Sequence, residues 1–285
     1  MQGESAEGTA QEGERHRMDK KRLIVGILFA VGVVAVCVFG NTVTEVAAIL
    51  ILALIAQHEM LGALRSGGHH PMAWPGYVFA GMLVPTMWFG GAEALWALFI
   101  VVIGAGFTVR VFSRQLTTTD LLSSFLPLIY PLPLFSVMIQ AAWIGEPAGR
   151  TILLCGIAFA SLTDVFAYFT GCAFGKHKLC PELSPKKTVE GAVGGFLGSM
   201  LIGGVLYGLQ FVWGAAYPWW AYVGCAPFCS IAGQIGDLSA SAIKREMAIK
   251  DYGKIFPGHG GVLDRFDSIL FAVPVAYIFF RFVLL

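Results

Sequence analysis

Nine apolar runs, each close to the thickness of a bilayer's hydrocarbon core, constrain this chain more than any other feature. They cover 23–40, 43–62, 73–89, 92–112, 121–143, 151–175, 190–213, 218–243 and 263–284. A spanning helix needs roughly 20 mostly apolar residues, because each residue rises only about 1.5 Å. The first run is long for the apolar core of a secretory leader and no A-x-A cleavage site follows it, so it reads as an uncleaved span. Only 13% of residues are charged and 56% are hydrophobic, a balance that water cannot solvate as a globule. The expected fold is therefore all-α: a polytopic integral membrane protein with about nine transmembrane helices. In the fifth run Pro127, Pro131 and Pro133 remove helix hydrogen bonds and predict a kink or break.

Charge sets the orientation. With the N-terminus inside, seventeen of the nineteen Lys and Arg fall on the cytoplasmic side, and only Arg150 and Arg281 fall outside. The polar stretches 176–188 and 244–265 then both face the cytoplasm. Residues 1–22 read as a disordered basic tail, 23–150 as a scaffold of helices suited to dimerisation, and 151–285 as a catalytic membrane domain. A net charge of +1 without a basic, aromatic-lined stripe excludes nucleic acid as a partner. Cys225 and Cys229 are spaced CxxxC with no paired His, which argues for free thiols and against zinc. Glu45, Glu93 and Glu146 sit near outer span ends and read as solvated. His58-Glu59 lacks the HExxH spacing, and His69-His70 reads as an exposed loop pair.

The densest polar stretch, Gln234 to Ser268, lies between two apolar runs. Gln234, Asp237, Ser241 and Lys244 fall at i, i+3, i+7 and i+10, on one helix face. A carboxylate at membrane depth is costly and needs a partner, and a salt bridge from Asp237 to Lys244 would satisfy both. Pro257-Gly258-His259-Gly260-Gly261 can turn with φ > 0 and aim N–H groups at anionic oxygens. Asp264 and Asp267 stand three apart at the start of the ninth run, with Arg265 pointing elsewhere. Together with Asp237 they suit a hard divalent cation such as Mg²⁺. Asp164 lies inside the sixth run with Tyr168 one turn on. Ser184-Pro185-Lys186-Lys187-Thr188 opens the seventh run, where two lysines and hydroxyls beside a helix N-terminus form a phosphate clamp. Gly171-xxx-Gly175-Lys176 is not a P-loop, being one spacer short and carrying His177 where Ser or Thr belongs. Gly191, Gly194, Gly195 and Gly198 predict close helix packing.

In this order the residues resemble the phosphatidate cytidylyltransferase family, the CDP-diacylglycerol synthases. The likeness rests on Ser241-x-x-Lys244-Arg245, Lys250-Asp251, the PGHGG turn and Asp264-Arg265-x-Asp267. It extends to the family's D-x-x-AY-x-x-G segment from Asp164 and its GKHKL-x-P-x-SPKKT-x-EG segment ending at Gly191. Residues 164–268 carry it; earlier spans are similar only in hydropathy. Ala240 stands where members often have Glu, and Cys172 where Arg is common, which puts nucleotide affinity in question. The resemblance implies transfer of CMP from CTP to phosphatidate, giving CDP-diacylglycerol and pyrophosphate. It implies Mg²⁺, room for a monovalent cation such as K⁺, and a membrane-embedded homodimer. Asp237, Asp264, Lys244 and Asp267 would be catalytic, the three aspartates as metal ligands. Ser184, Lys186, Lys187, Thr188, Arg245, His259, Gly260, Gly261, Arg265 and Asp164 would bind substrate.

Two other readings are compatible with parts of the pattern. A CTP-dependent polyprenol or phytol-type lipid kinase would need the same two sites but would release CDP. An ion-coupled transporter would use Asp164, Asp237 and the broken fifth span, although the polar residues gather on one side. The expected location is a bacterial cytoplasmic membrane, with the site facing the cytoplasm.

Overall fold

The computed structural model of the chain describes residues 31–256 and 260–283. The tail 1–22, the opening of the first expected span and Pro257-Gly258-His259 lie outside them. Residues 31–39 are helical (α1). They are followed by α2 (Thr42–Ser66), α3 (Trp74–Phe112), α4 (Thr118–Ile129), α5 (Leu132–Trp143) and α6 (Ala148–Phe174). Two short strands, β1 (Lys178–Cys180) and β2 (Ser184–Thr188), precede α7 (Val189–Leu209), α8 (Trp219–Glu246) and α9 (Leu263–Val283). Among the described residues five helical segments are long and apolar enough to cross a bilayer: Thr42–Ser66, Glu93–Phe112, Thr118–Trp143, Ala148–Phe174 and Val189–Trp213. The chain is a nearly all-α integral membrane protein.

Local sequence accounts for the breaks. The third and fourth expected spans form one merged helix, α3, interrupted at Gly91 with φ 62° and ψ −157°. The fifth span breaks between α4 and α5, where Tyr130 takes an extended conformation (φ −152°, ψ 124°). Proline disfavours helical backbone in the residue before it, so Pro131 ends α4 at this point. The polar stretch 176–188 contains an antiparallel hairpin pairing Lys178 with Thr188 and Cys180 with Ser184. Thr188 then caps α7, its Oγ1 accepting from Gly191 N at 3.1 Å.

Helices α6 to α9 pack on one another, and small residues set how closely. Gly191 and Gly195 of α7 lie against the Ala167 and Thr163 carbonyls of α6, as the glycine spacing predicts. Gly236 of α8 faces the Asp267 carbonyl and the Phe271 ring of α9 so closely that a Cβ would overlap both. This contact brings Asp237 beside Asp267. The Gly236→Ala variant is expected to lose about 1–3 kcal/mol of stability through overpacking, read as a lower melting temperature of the detergent-solubilised protein.

One expectation about the outer ends is corrected. Glu45 is 4% exposed, not solvated, because the start of α6 lies across it. Arg150 Nε stands 4.0 Å from Glu45 Oε1, and its guanidinium also donates to Glu146 and, at 2.6 Å, to the Gly40 carbonyl. Burial of an acid at this depth is tolerated because that cation comes with it. Cys225 and Cys229 are buried free thiols.

Candidate active site

Two cavities meet at a cluster of carboxylates contributed by α6, α8 and α9. One, of about 720 Å³, is walled by apolar residues of α1, α6 and α7 such as Val34, Leu154, Ile157 and Leu206. It ends on Asp164, Asp264, Arg265, Asp267 and Ser268. The other, of about 630 Å³, is basic, with Lys178, Lys186, Lys187, Gln234 and Asp237 in its wall. Asp164 lines both cavities. An apolar trough and a basic pocket sharing one acidic boundary can hold a lipid and a soluble anion side by side.

Each carboxylate has a distinct set of partners. Asp264 is 9% exposed and fully engaged. Its Oδ1 accepts from Lys244 Nζ at 2.8 Å, and its Oδ2 accepts from Tyr252 N at 2.8 Å and Gly261 N at 2.9 Å. Asp237 pairs with Lys187, delivered by β2. A bridge between Asp237 and Lys244 does not form: Lys244 goes to Asp264 and the hairpin supplies the cation for Asp237. Asp267 Oδ1 accepts from Ser268 N at 2.8 Å, and Ser268 Oγ donates to Asp164 Oδ2 at 3.2 Å. Asp267, Asp237 and Asp164 lie close enough for their charges to act on one another. Among the described residues neither Asp164 nor Asp267 has a salt-bridge partner.

That cluster of carboxyl groups bears on a metal. Among the described residues no three carboxylate, imidazole or thiol side chains already converge on a point. Mg²⁺ does not need such a cage, since it is held by one or two carboxylates together with waters and phosphate oxygens. The donors here are all hard oxygens, and Asp164 and Asp267 have no lysine paired with them among the described residues. They therefore fit a divalent cation in kind.

The remaining expected residues divide. Lys186 and Lys187 reach the basic pocket, and Arg265 reaches the apolar one. Ser184 is taken up by the hairpin and Thr188 by the α7 cap. Arg245 is exposed, its Nη1 donating to the Ile249 carbonyl at 3.5 Å. Gly260 holds φ +82°, a left-handed conformation natural to glycine, and its carbonyl accepts from Phe256 N at 3.0 Å. His259 lies outside the described residues. The departures also have places: Cys172 lines the basic pocket, and Ala240 is buried, its carbonyl accepting from Tyr252 Oη at 3.1 Å.

Three residues to which the sequence reading gave no role organise the site. Glu59 of α2, 4% exposed, accepts from Val262 N at 2.9 Å and Leu263 N at 2.8 Å, capping α9 from another helix. Tyr252 places its ring 5.4 Å below the Lys244 ammonium. Burial, and then the charges of Asp264 and Asp267, push its phenol well above the usual range, so it stays a donor. Tyr130 sits at the α4–α5 break with its ring 6.0 Å from Phe271. A buried acid in α2 was the one available signal for Glu59; for the two tyrosines sequence spacing carried none.

Similar proteins point the same way. A 128-residue stretch is 42% identical to a phosphatidate cytidylyltransferase of Staphylococcus aureus (strain COL), covering 45% of this chain and 48% of that protein. A 129-residue stretch is 43% identical to the Bacillus subtilis (strain 168) protein of the same name, covering 45% of this chain and 47% of the relative. The match thus spans about half the length of these curated relatives. The pattern described as the cytidylyltransferase family matches residues 20–283. The chain belongs to the cytidylyltransferase family.

Proposed function

We propose that the protein is a phosphatidate cytidylyltransferase, transferring the CMP moiety of CTP to phosphatidate to give CDP-diacylglycerol and pyrophosphate. One observation carries this reading: an apolar cavity and a lysine-lined cavity abut at Asp164, with Asp237 on one side and Asp267 on the other. Acyl chains would lie along the apolar trough with the phosphate near Arg265. The triphosphate of CTP would lie against Lys186 and Lys187.

In the reaction a phosphatidate phosphate oxygen attacks the α-phosphorus of CTP. The new O–P bond forms as the bond to the β-phosphate oxygen breaks, and pyrophosphate leaves with that electron pair. The attacking phosphate is already ionised near neutral pH, so no strong general base is needed. The main task is to let two anions meet, which fixed positive charge accomplishes best where water is excluded. Lys186 and Lys187 in the basic pocket, with Lys244 held on Asp264, supply ammonium groups for that purpose. Asp237 and Asp264, on giving up Lys187 and Lys244, would hold Mg²⁺, with Asp267 as a further ligand or a partner of one, and when bound the ion neutralises phosphate charge; K⁺ would be a companion cation. The same reading takes nine spans, a cytoplasmic N-terminus, a site open to the cytoplasm, a homodimer and a bacterial inner membrane.

The test is direct. Detergent-purified protein given CTP, phosphatidate and Mg²⁺ is expected to form CDP-diacylglycerol and pyrophosphate in equal amounts. No such product with any divalent cation would overturn the assignment.

A further inference from the structure

Among the described residues the apolar trough has a definite far end. Its wall on α6 runs from Asp164, at the carboxylates, to Leu154, ten residues earlier in the helix. At about 1.5 Å of rise per residue that is roughly 15 Å, about half the thickness of a bilayer's hydrocarbon core. A trough of that depth matches the reach of an acyl chain within one leaflet.

Trp213 stands at that far end. The chain leaves α7 through one tight turn, Gln210–Trp213, and then changes direction at Gly214, which has φ 74°. Trp213 lines the trough and is 7% exposed. Its Nε1 donates to Thr151 Oγ1 at 3.0 Å. Thr151 lies three residues beyond Leu154 on α6 and outside the trough wall, so the indole reaches across to α6 just past the last lining residue. The Thr151 hydroxyl is itself fixed, donating to the Pro147 carbonyl at 2.8 Å. Swinging the ring aside would leave a buried N–H without a partner, which is costly. Nearer the carboxylates the α6 wall carries the small side chains of Ala158 and Ser161. The trough is therefore lined by small groups along its length and stopped by a large, pinned one.

We propose that the trough takes one acyl chain of the lipid substrate and that Trp213 sets the longest chain it accepts. The proposal rests on the functional reading above and adds to it a specificity-determining residue far from the reacting phosphates. The lipid phosphate is held at the carboxylate end, near Arg265, so chain length is measured from a fixed point. A chain entering from the bilayer exchanges one hydrocarbon surrounding for another and gains little from burial. Discrimination comes from the stop: a chain longer than the trough must buckle against the indole, and overpacking is unfavourable.

The test uses full-length protein in mixed micelles, with CTP, Mg²⁺ and a series of phosphatidates whose two identical chains lengthen by two methylenes at each step. For the wild type, kcat/KM is expected to fall about tenfold at the step that passes the limit. Trp213→Leu removes the ring and is expected to move that fall to longer chains. Ala158→Phe places a ring across the trough closer to Asp164 and is expected to move it to shorter ones. Each profile is a ratio between chain lengths on one protein sample, so a partial loss of folded protein does not alter it. Should Trp213→Leu fail to fold, Trp213→Phe is expected to shift the fall in the same direction by less. A wild-type profile without a fall would overturn the proposal, as would Trp213 variants that keep the wild-type limit. An Ala158→Phe profile equal to the wild type would also overturn it, since the chain would then lie elsewhere. If the wild type forms no CDP-diacylglycerol from any member of the series, the functional reading falls and this proposal with it. If it does so and the variants leave the limit in place, the proposal alone falls.

Discussion

The Asp264→Asn variant is expected to lose turnover by about a hundredfold to a thousandfold, the scale seen when one electrostatic group is removed from a reaction centre. It is also expected to lose about 3–5 kcal/mol of stability, because Lys244 would be left buried without its counter-charge. The amide can keep accepting from Tyr252 N and Gly261 N, so the turn need not collapse. The stability part is isolated by the double variant Asp264→Asn with Lys244→Met, in which removing the stranded ammonium should restore most of the melting temperature. Near-normal turnover in the single Asp264→Asn variant would make Asp264 an anchor of the turn and not part of the reaction.

The second large effect is expected at Glu59, far from Asp264 in sequence. Each of its carboxylate oxygens accepts one backbone N–H from the start of α9. Gly253 and Gly261 both press on the same carboxylate, so closely that a Cβ at either would overlap it. In the Glu59→Gln variant an NH₂ group must face one of those N–H donors, costing about 1.5–3 kcal/mol. Because the same turn positions Asp264 and Asp267, turnover should fall with stability, both measured on the purified protein. An unchanged melting temperature and unchanged turnover would contradict the capping role.

What the sequence could disclose follows from how far each interaction reaches along the chain. Apolar runs and Pro131 act locally, and α2, α4, α5 and α6 lie where hydropathy and proline place them. The glycine spacing of α7 foretells its contact with α6 for the same reason. Pairings between distant segments leave no periodic trace. Arg150 meets Glu45, and the α9 start meets Glu59, across stretches that carry no matching pattern. The Lys187–Asp237 pair depends on β2, and SPKKT, with its proline and two lysines, is a poor strand by composition. Helical spacing correctly put Asp237 and Lys244 on one face, but tertiary packing gave each a different partner.

The central claim is that the bond broken in CTP lies between the α- and β-phosphates. The most direct measurement follows label from CTP carrying ³²P in either the α- or the γ-phosphate, with protein in vesicles containing phosphatidate and Mg²⁺. The account predicts that α-label enters the lipid fraction while γ-label leaves as pyrophosphate. Transfer of γ-label to lipid with release of CDP would contradict it, as would CTP left intact.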